Sequence, residues 1–485
     1  MTADHSRSLR LASNVSELGQ SALERHLDGT HVIVSVDADY PTGMLAGRIL
    51  LTTLRRGPGM LTLLGNNLPS QYTDEVEAMC QAIDPDRPIN VTKNETAGPE
   101  GSVRLHVGPS ARAIRVVPDG YGAHLLANPT RAVAPRQIPN AVGAAFAAGL
   151  AASEAFKYVA RVREERRILH EYVCYCPFSL SSDMTLSIPL RSPIVLDATL
   201  VGIGSIGSAI VMIADALQLS GKIVLIDPQR FAIENVSTYS FGTRHDAERA
   251  AWKVELAQQV LTAFETQVVT EPVESLPSLI SSGAVPWTPL ILSALDSPES
   301  RRATQRMWPD RLIDAQTGDS MVGFCEYRHG IDPCLMCSFP VDVASPSGVD
   351  AFAERLGLSP ELFGTPGAIL NESHLDGITA KVRENLTKFV GKPVCALMDG
   401  AVSIVDAGGF QPSAPSVALQ AASLSVARLA ASSLGYDNRS NFGQYDTLIG
   451  PQRASIETMK PARSCNCQTR KATIEQVRQS FRTRN

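Results

Sequence analysis

The chain has 485 residues, 44% apolar and 19% charged, with a formal net charge of −5. That length predicts two or more domains with ample core for each, and a weakly acidic balance without a basic run argues against a nucleic-acid partner. The longest apolar stretch, residues 141–152, is Ala/Gly-rich and too short to span a bilayer, and the polar start from Met1 to Arg7 lacks the apolar core of a signal peptide; a soluble, cytoplasmic protein without membrane attachment is expected.

Taken in chain order, His31–Val36 reads as a strand, Gly43–Leu54 as a helix and Met60–Leu64 as a strand, with no glycine triplet between the first strand and the helix. A small-residue helix over Pro139–Val159 follows, and residues 177–194 read as a linker. Residues 196–227 then run as a buried strand, a glycine loop, a helix and a second strand ending at Asp227. A helix around Ala247–Phe264, strands at Gln267–Val269, Pro289–Ala294 and Arg311–Ala315, and a helix from Pro298 complete an alternating α/β rhythm. That rhythm predicts a largely parallel sheet with helices on both faces. Residues 341–392 read as an insert, helical over Leu375–Val390. Residues 412–434 form one long Ala/Leu/Val helix, and the polar segment 468–485 is expected to fray. The 412–434 helix resembles Pro139–Val159 in composition and place, so the N-terminal part reads as a faded copy of the second: an internal duplication.

The chemistry concentrates at Gly202-Ile203-Gly204-Ser205-Ile206-Gly207. In such a loop Gly202 permits the tight turn, Gly204 lets backbone N–H groups approach a phosphate, and Gly207 lets helix and strand pack closely. Asp227 lies where a ribose hydroxyl would be held. A lone glycine loop most often marks a dinucleotide site. Asn235, eight residues after Asp227, then Lys253, then Asp296 leaving a strand, argue instead for an ATP attacked at its α-phosphate. Lys253 would neutralise phosphate charge and Asp296 would hold Mg²⁺. Each alone has a plain alternative: Lys253 as a surface lysine, Asp296 as a helix N-cap.

Taken together, Gly202/Gly204/Gly207, Asp227, Asn235, Lys253, and Asp296 with Arg301 and Arg302 resemble the motif set of the ThiF/MoeB/E1 ubiquitin-activating superfamily. The specific motifs cover roughly residues 190–470, and the likeness over 1–170 is architectural only. The resemblance implies two Rossmann-like adenylation folds, an inactive one over 1–190 and an active one over 191–485. The active one would carry a helical crossover insert at about 341–395 and a C-terminal zinc-ligand segment. Two positions depart from the family pattern. Gln229 stands where a second acid is usual, and Thr238 stands where an arginine normally touches the ATP phosphates. Arg230 and Arg244 are the nearby arginines that could replace that charge.

The nine cysteines include three close pairs, which in a reducing compartment suggest metal rather than disulfides. Cys334/Cys337 and Cys465/Cys467 suit a structural, tetrahedral Zn²⁺, and the family places a zinc knot at both points. Cys174 and Cys176 have no second pair and read as core, as do Cys80 and Cys325. Cys395 matches the topological place of the E1 thioester nucleophile. The resemblance further implies an arginine sent to ATP from the N-terminal helix, with Arg7 as candidate and Arg10 in reserve. The reading that follows is an E1-like enzyme. It adenylates the C-terminal carboxylate of a ubiquitin-like protein with ATP-Mg²⁺, forms a thioester on Cys395 and passes it to an E2-like carrier, most like bacterial conjugation systems of the antiviral defence type. The alternatives are an adenylyltransferase for a peptide or sulfur-carrier protein without thioester transfer, and a non-catalytic E1-like scaffold that clamps a peptide.

Overall fold

The computed structural model describes the chain apart from residues 1–5, 96–97, 111, 113, 187–192, 341–352, 354–355, 366–367, 379, 393, 395–413, 437–438 and 484–485. By contacts it divides into two compact units, Met1–Phe339 with Ser413–Asn485, and Pro340–Pro412.

The larger unit holds two sheets. The first lobe runs α1 (Ser6–Val15), α2 (Gln20–Asp28), β1 (His31–Val36), α3 (Gly43–Arg55), β2 (Met60–Leu64), α4 (Ser70–Ile83), β3 (Asn90–Thr92), β4 (Val103–Val107), β5 (Ile114–Asp119), β6 (Gly122–Leu126), α5 (Ala141–Val159) and β7 (Tyr172–Tyr175). The second begins with β8 (Val195–Val201), α6 (Ser205–Ala216), β9 (Ser220–Ile226), α7 (Arg244–Glu248), α8 (Lys253–Val260), β10 (Phe264–Val269), α9 (Leu276–Ser282), β11 (Leu290–Ser293), α10 (Pro298–Gln305), β12 (Arg311–Gly318), β13 (Met321–Arg328) and α11 (Leu335–Ser338). The helix Pro415–Ser433, β14 (Phe442–Asp446), β15 (Ser455–Glu457) and the helix Lys471–Arg482 complete it.

The sheet orders are β3-β2-β1-β4-β5-β6-β7 and β10-β9-β8-β11-β12-β13-β14-β15. In each, five parallel strands in doubly wound order turn antiparallel at the sixth. Strand for strand the second sheet repeats the first, so both lobes are Rossmann-like. The two small-residue helices also correspond. α5 and Pro415–Ser433 are each 19 residues long and each has 16 of them buried. A helix apolar on all sides needs burial on all sides, and these two meet each other: Gln420 Nε2 donates to Gly149 O (3.1 Å) and Ser153 Oγ (2.9 Å). One hydrophobic core accordingly runs from Val34 and Leu63 through both helices to Leu200 and Leu225.

The lobes differ in their outer faces. The second sheet has a separate core behind it, with α9, α10 and the C-terminal helix contributing Leu276, Ile280, Ala303 and Phe481. The polar 471–482 segment is therefore an ordered helix rather than a frayed tail, because Ile474, Arg478 and Phe481 give it a buried stripe. Behind the first sheet, among the described residues, lies only a small cluster of Tyr40, Val117 and Leu126 with Val133 and Tyr172. The expected pair of helical layers is thus realised on one lobe. The single helix expected near 247–264 is two: Ala250 adopts φ +47 and breaks it between α7 and α8.

In the smaller unit Leu356, Leu358, Leu370, Leu375, Leu386 and Val394 form a core of their own. Its helix spans Ala380–Leu386 with a 3-10 turn at Thr387–Phe389, shorter than the 375–390 expected.

Candidate nucleotide site and four-cysteine cluster

The glycine loop leaves β8 at the carboxyl end of the sheet, where doubly wound folds hold ligands. Gly202 has φ +84, and its N–H donates to Ile226 O (2.9 Å). A Cβ there would lie 2.6 Å from Ala294 O, and one on Gly207 would lie 2.0 Å from Gly202 O. These two glycines are demanded by packing. Gly204 is not: nothing lies within 4 Å of the place its Cβ would occupy. It caps α6 without a side-chain hydrogen bond, so the opening N–H groups of that 12-residue helix face open space. Such a helix start attracts anions.

Asp227 follows β9 and is buried. Its Oδ2 accepts the Ile203 N–H (2.7 Å) and its Oδ1 the Gln229 N–H (2.8 Å). Burial pushes its carboxyl up, the Lys253 charge pulls it down, and Asp296 pushes it up again. Asp227 at the end of β9 therefore feels the charges of both Lys253 on α8 and Asp296 after β11. Lys253, the first residue of α8, is 5% exposed, and its Nζ donates to Gln229 Oε1 at 2.6 Å. The residue that departs from the acidic family pattern is thus the neutral partner of the buried lysine.

Asp296 is exposed on the turn after β11. That turn is shaped from below by Arg301, whose Nε and Nη2 donate to Leu295 O (3.0 and 2.5 Å) while Nη1 meets the buried Asp314 at 2.9 Å. Arg301 is a positioning residue. Arg302 pairs with Glu299 (3.0 Å) and donates to Phe339 O. Asn235 is buried, and its Oδ1 accepts the Ala232 N–H (3.0 Å), closing a short capping turn.

Thr238 is buried and adds no charge. Neither nearby arginine replaces it. Arg230 donates to Ala250 O and stacks on Trp252 at 4.0 Å, and Arg244 pairs with Asp86 of the first lobe at 2.6 Å. An arginine that sequence reasoning did not single out does reach this turn. Arg56, 2% exposed at the end of α3, donates to Val236 O (2.6 Å) and Gly242 O (3.1 Å). Tyr239, in the same turn, packs on Phe231 and Phe241, and its buried hydroxyl has no hydrogen-bond partner among the described residues. Arg7 lies on α1, with its side chain outside the described residues, and Cys395 lies outside them altogether.

At the equivalent point of the first lobe, Asp37 follows β1 in place of Gly202. Its carboxylate accepts the Ser110 N–H (2.9 Å) and Ser110 Oγ–H (2.8 Å) and meets His106 Nε2 at 3.1 Å. A protein carboxylate stands where the second lobe has its glycine turn.

Cys334, Cys337, Cys465 and Cys467 converge, with all four Sγ atoms within 4.8 Å of one another. The 334–337, 334–465 and 337–467 separations are 3.8, 3.5 and 3.5 Å. Tetrahedral Zn–S bonds of ~2.3 Å place sulfurs ~3.8 Å apart, so the donor set fits one Zn²⁺. Cys334 and Cys465 cap two short helices, α11 and Asn466–Thr469, which carry Cys337 and Cys467, so the cluster ties the C-terminal segment to the chain that follows β13. Cys80, Cys176 and Cys325 are buried as core residues; Cys174 is half-buried.

No family model and no curated protein matches the chain. Among solved structures it is similar to a crystal structure of E. coli MccB, at 12% identity and a TM-score of 0.38, covering 74% of this chain and 95% of that one. It is likewise similar to E. coli MccB with MccA-N7isoASN, at 12% identity and a TM-score of 0.36, over 74% and 98%. At so loose a likeness, the chemistry has to be argued from the chain's own glycine loop, Asp227, Lys253 and Asp296.

Proposed function

We propose that the chain adenylates a carboxylate with ATP. The observation that carries this reading is the open space at Gly204 and the unsealed start of α6, in a loop held by Asp227, on which the charges of Lys253 and Asp296 both act. A polyphosphate suits backbone donors joined by one ammonium, and Asp227 would hold the ribose. Asp296 would hold Mg²⁺ between the phosphates and the incoming carboxylate, lowering the negative charge that otherwise repels the nucleophile. Attack of the carboxylate oxygen on the α-phosphorus forms the acyl-adenylate and releases pyrophosphate.

The acceptor in this reading is the C-terminal carboxylate of a peptide or protein, and in its finer form a ubiquitin-like protein. Cys395 then takes the acyl group as a thioester and hands it to an E2-like carrier, with Arg7 completing the phosphate charge. The four-cysteine Zn²⁺ site is structural. The antiviral setting belongs to this finer form and rests on the resemblance alone.

Pyrophosphate exchange tests the first step. With ATP-Mg²⁺ and an acceptor, Asp296→Ala should lower the exchange rate by about 100-fold; unchanged exchange would remove Asp296 from the site. A thiol-sensitive adduct lost in Cys395→Ala, with exchange intact, would support the second step. An adduct that persists would place the nucleophile elsewhere.

A further inference from the structure

Two lysines are buried among the described residues, and their partners differ. Lys157, on α5, is satisfied: its Nζ donates to Glu154 Oε2 (2.6 Å) and Ile168 O (2.8 Å), a carboxylate and a carbonyl. Lys253 is held by one neutral oxygen, Gln229 Oε1 at 2.6 Å. An ammonium has three protons to donate and accepts nothing, so the amide turns its oxygen to Lys253 and its Nε2 away. Asp227 feels the lysine's charge, yet among the described residues no carboxylate forms an ion pair with Lys253. Arg244, Arg301 and Arg302 each have a carboxylate of their own, at Asp86, Asp314 and Glu299. A buried charge without a counter-charge is costly. Nothing in the packing demands it here, because Gln229 is exposed. A glutamate would fill the same space and pair with Lys253 outright.

We propose that Gln229 is a specificity-determining positioning residue: its neutral amide holds the Lys253 ammonium without neutralising it, so that the phosphates of a bound nucleotide supply the counter-charge. A short chain of hydrogen bonds ties this pair to the glycine loop. The Gln229 N–H donates to Asp227 Oδ1 (2.8 Å), Asp227 Oδ2 accepts the Ile203 N–H (2.7 Å), and Gln229 O accepts the Lys253 N–H (3.2 Å). The amide thus fixes the start of α8 through its backbone and the ammonium through its side chain. With the lysine's charge unspent, each further negative charge on the ligand gains more from it, since Coulomb attraction grows with the ligand's charge. The site then favours a triphosphate over a monophosphate of the same nucleoside. This assignment rests on the nucleotide reading and deepens it.

The test is calorimetric titration of the full-length chain and of Gln229→Glu with AMP, ADP and a non-hydrolysable ATP analogue. Magnesium-free buffer is used, so that ligand charge rises with phosphate number. The unaltered chain should bind the ATP analogue more tightly than AMP. Gln229→Glu should weaken the ATP analogue by about ten-fold or more and AMP by no more than about three-fold, with ADP between them. Its urea midpoint should not fall, because the new carboxylate pairs with the buried ammonium. A merely structural role for Gln229 would instead lower the midpoint and weaken all three ligands alike. An equal penalty on the three ligands, or none, overturns the proposal while leaving the nucleotide reading in place. An unaltered chain that binds the ATP analogue no better than AMP overturns the nucleotide reading, and the proposal with it.

Discussion

Two glycines of one loop separate fold from function at the scale of single residues. Gly207→Ala would drive a methyl to 2.0 Å from Gly202 O, a contact only a backbone shift can relieve. It should lower stability by about 1–3 kcal/mol, read as a shift in the urea midpoint. Gly204→Ala meets nothing and its backbone, at φ −86, suits any residue, so the midpoint should stay within about 0.5 kcal/mol. Affinity for an ATP analogue, measured by calorimetry, should nevertheless fall by ten-fold or more if phosphate occupies that space. Unchanged affinity would remove the loop from the site. Asp37 gives a pH prediction. Burial would raise its carboxyl, but His106 and Ser110 outweigh burial and hold it at about 2, below the usual 3.8. A carboxyl depressed in the folded state contributes stability that is complete above pH ~4 and is lost as pH falls towards 2, up to about 2 kcal/mol. Asp37→Asn should flatten the acid limb of a stability–pH curve over that window, and an unchanged limb would contradict the assignment. The loop glycines were legible in the sequence because local packing demands two of them. The partners of Gln229 and Thr238 were not, since they depend on which distant side chain arrives: Lys253 at one and Arg56, through the neighbouring carbonyls, at the other.

Whole elements were most legible where the apolar pattern alone decides. Strands β1, β2 and β9 and helices α5 and Pro415–Ser433 lie within a few residues of where the sequence put them, because buried parallel strands and all-apolar helices have few alternatives. The break between α7 and α8 escaped because Ala250 sits in the left-handed region, stabilised by contacts rather than by its own preference. The C-terminal helix escaped because its buried stripe is narrow and its other residues are charged. That helix also explains what the cysteine cluster is for. Arg478 donates to Trp308 O (2.9 Å) and pairs with Asp310, and His329 meets Glu475 at 3.2 Å, so the helix is anchored along its length while Cys465 and Cys467 fix its start. Metal analysis should give one zinc per chain. Removing it with a strong chelator, or by Cys334→Ser, should cost several kcal/mol of folding free energy and lower the thermal midpoint by roughly 5–10 °C. Hydrogen exchange should quicken first in residues 465–482. A zinc-free protein with unchanged exchange there would leave the cluster without a structural role.

On the scale of the whole molecule, the repeat that the faded sequence pattern suggested is seen in the strand orders of the two sheets. The first copy carries Asp37 at the end of β1, where the second has Gly202, and turns its last helix inward against Pro415–Ser433. With 16 of 19 residues of each helix buried, neither lobe presents a surface suited to water when alone. Arg56 carries the coupling to the site itself. From α3 it clamps the carbonyls of Val236 and Gly242, and the turn between them is tied to α6 by the Ser240 N–H on Ser208 Oγ (3.1 Å). Beside the direct packing of α5 on α6, the first lobe therefore also reaches α6 through one guanidinium. Hydrogen bonds from a charged donor contribute about 1.5–3 kcal/mol each, and a truncated partner leaves buried carbonyls unsatisfied. Arg56→Ala should cost about 3–5 kcal/mol in a urea titration and raise the Kd for an ATP analogue several-fold even where the protein is still folded. Arg244→Ala removes an ion pair between the lobes, Arg244 with the exposed Asp86, and should cost less than about 1 kcal/mol. Equal effects from the two substitutions would mean that the buried Arg56 hydrogen bonds contribute no more than an exposed ion pair. A large Arg56 effect on stability with unchanged nucleotide affinity would mean that the first lobe supports the fold without tuning the site.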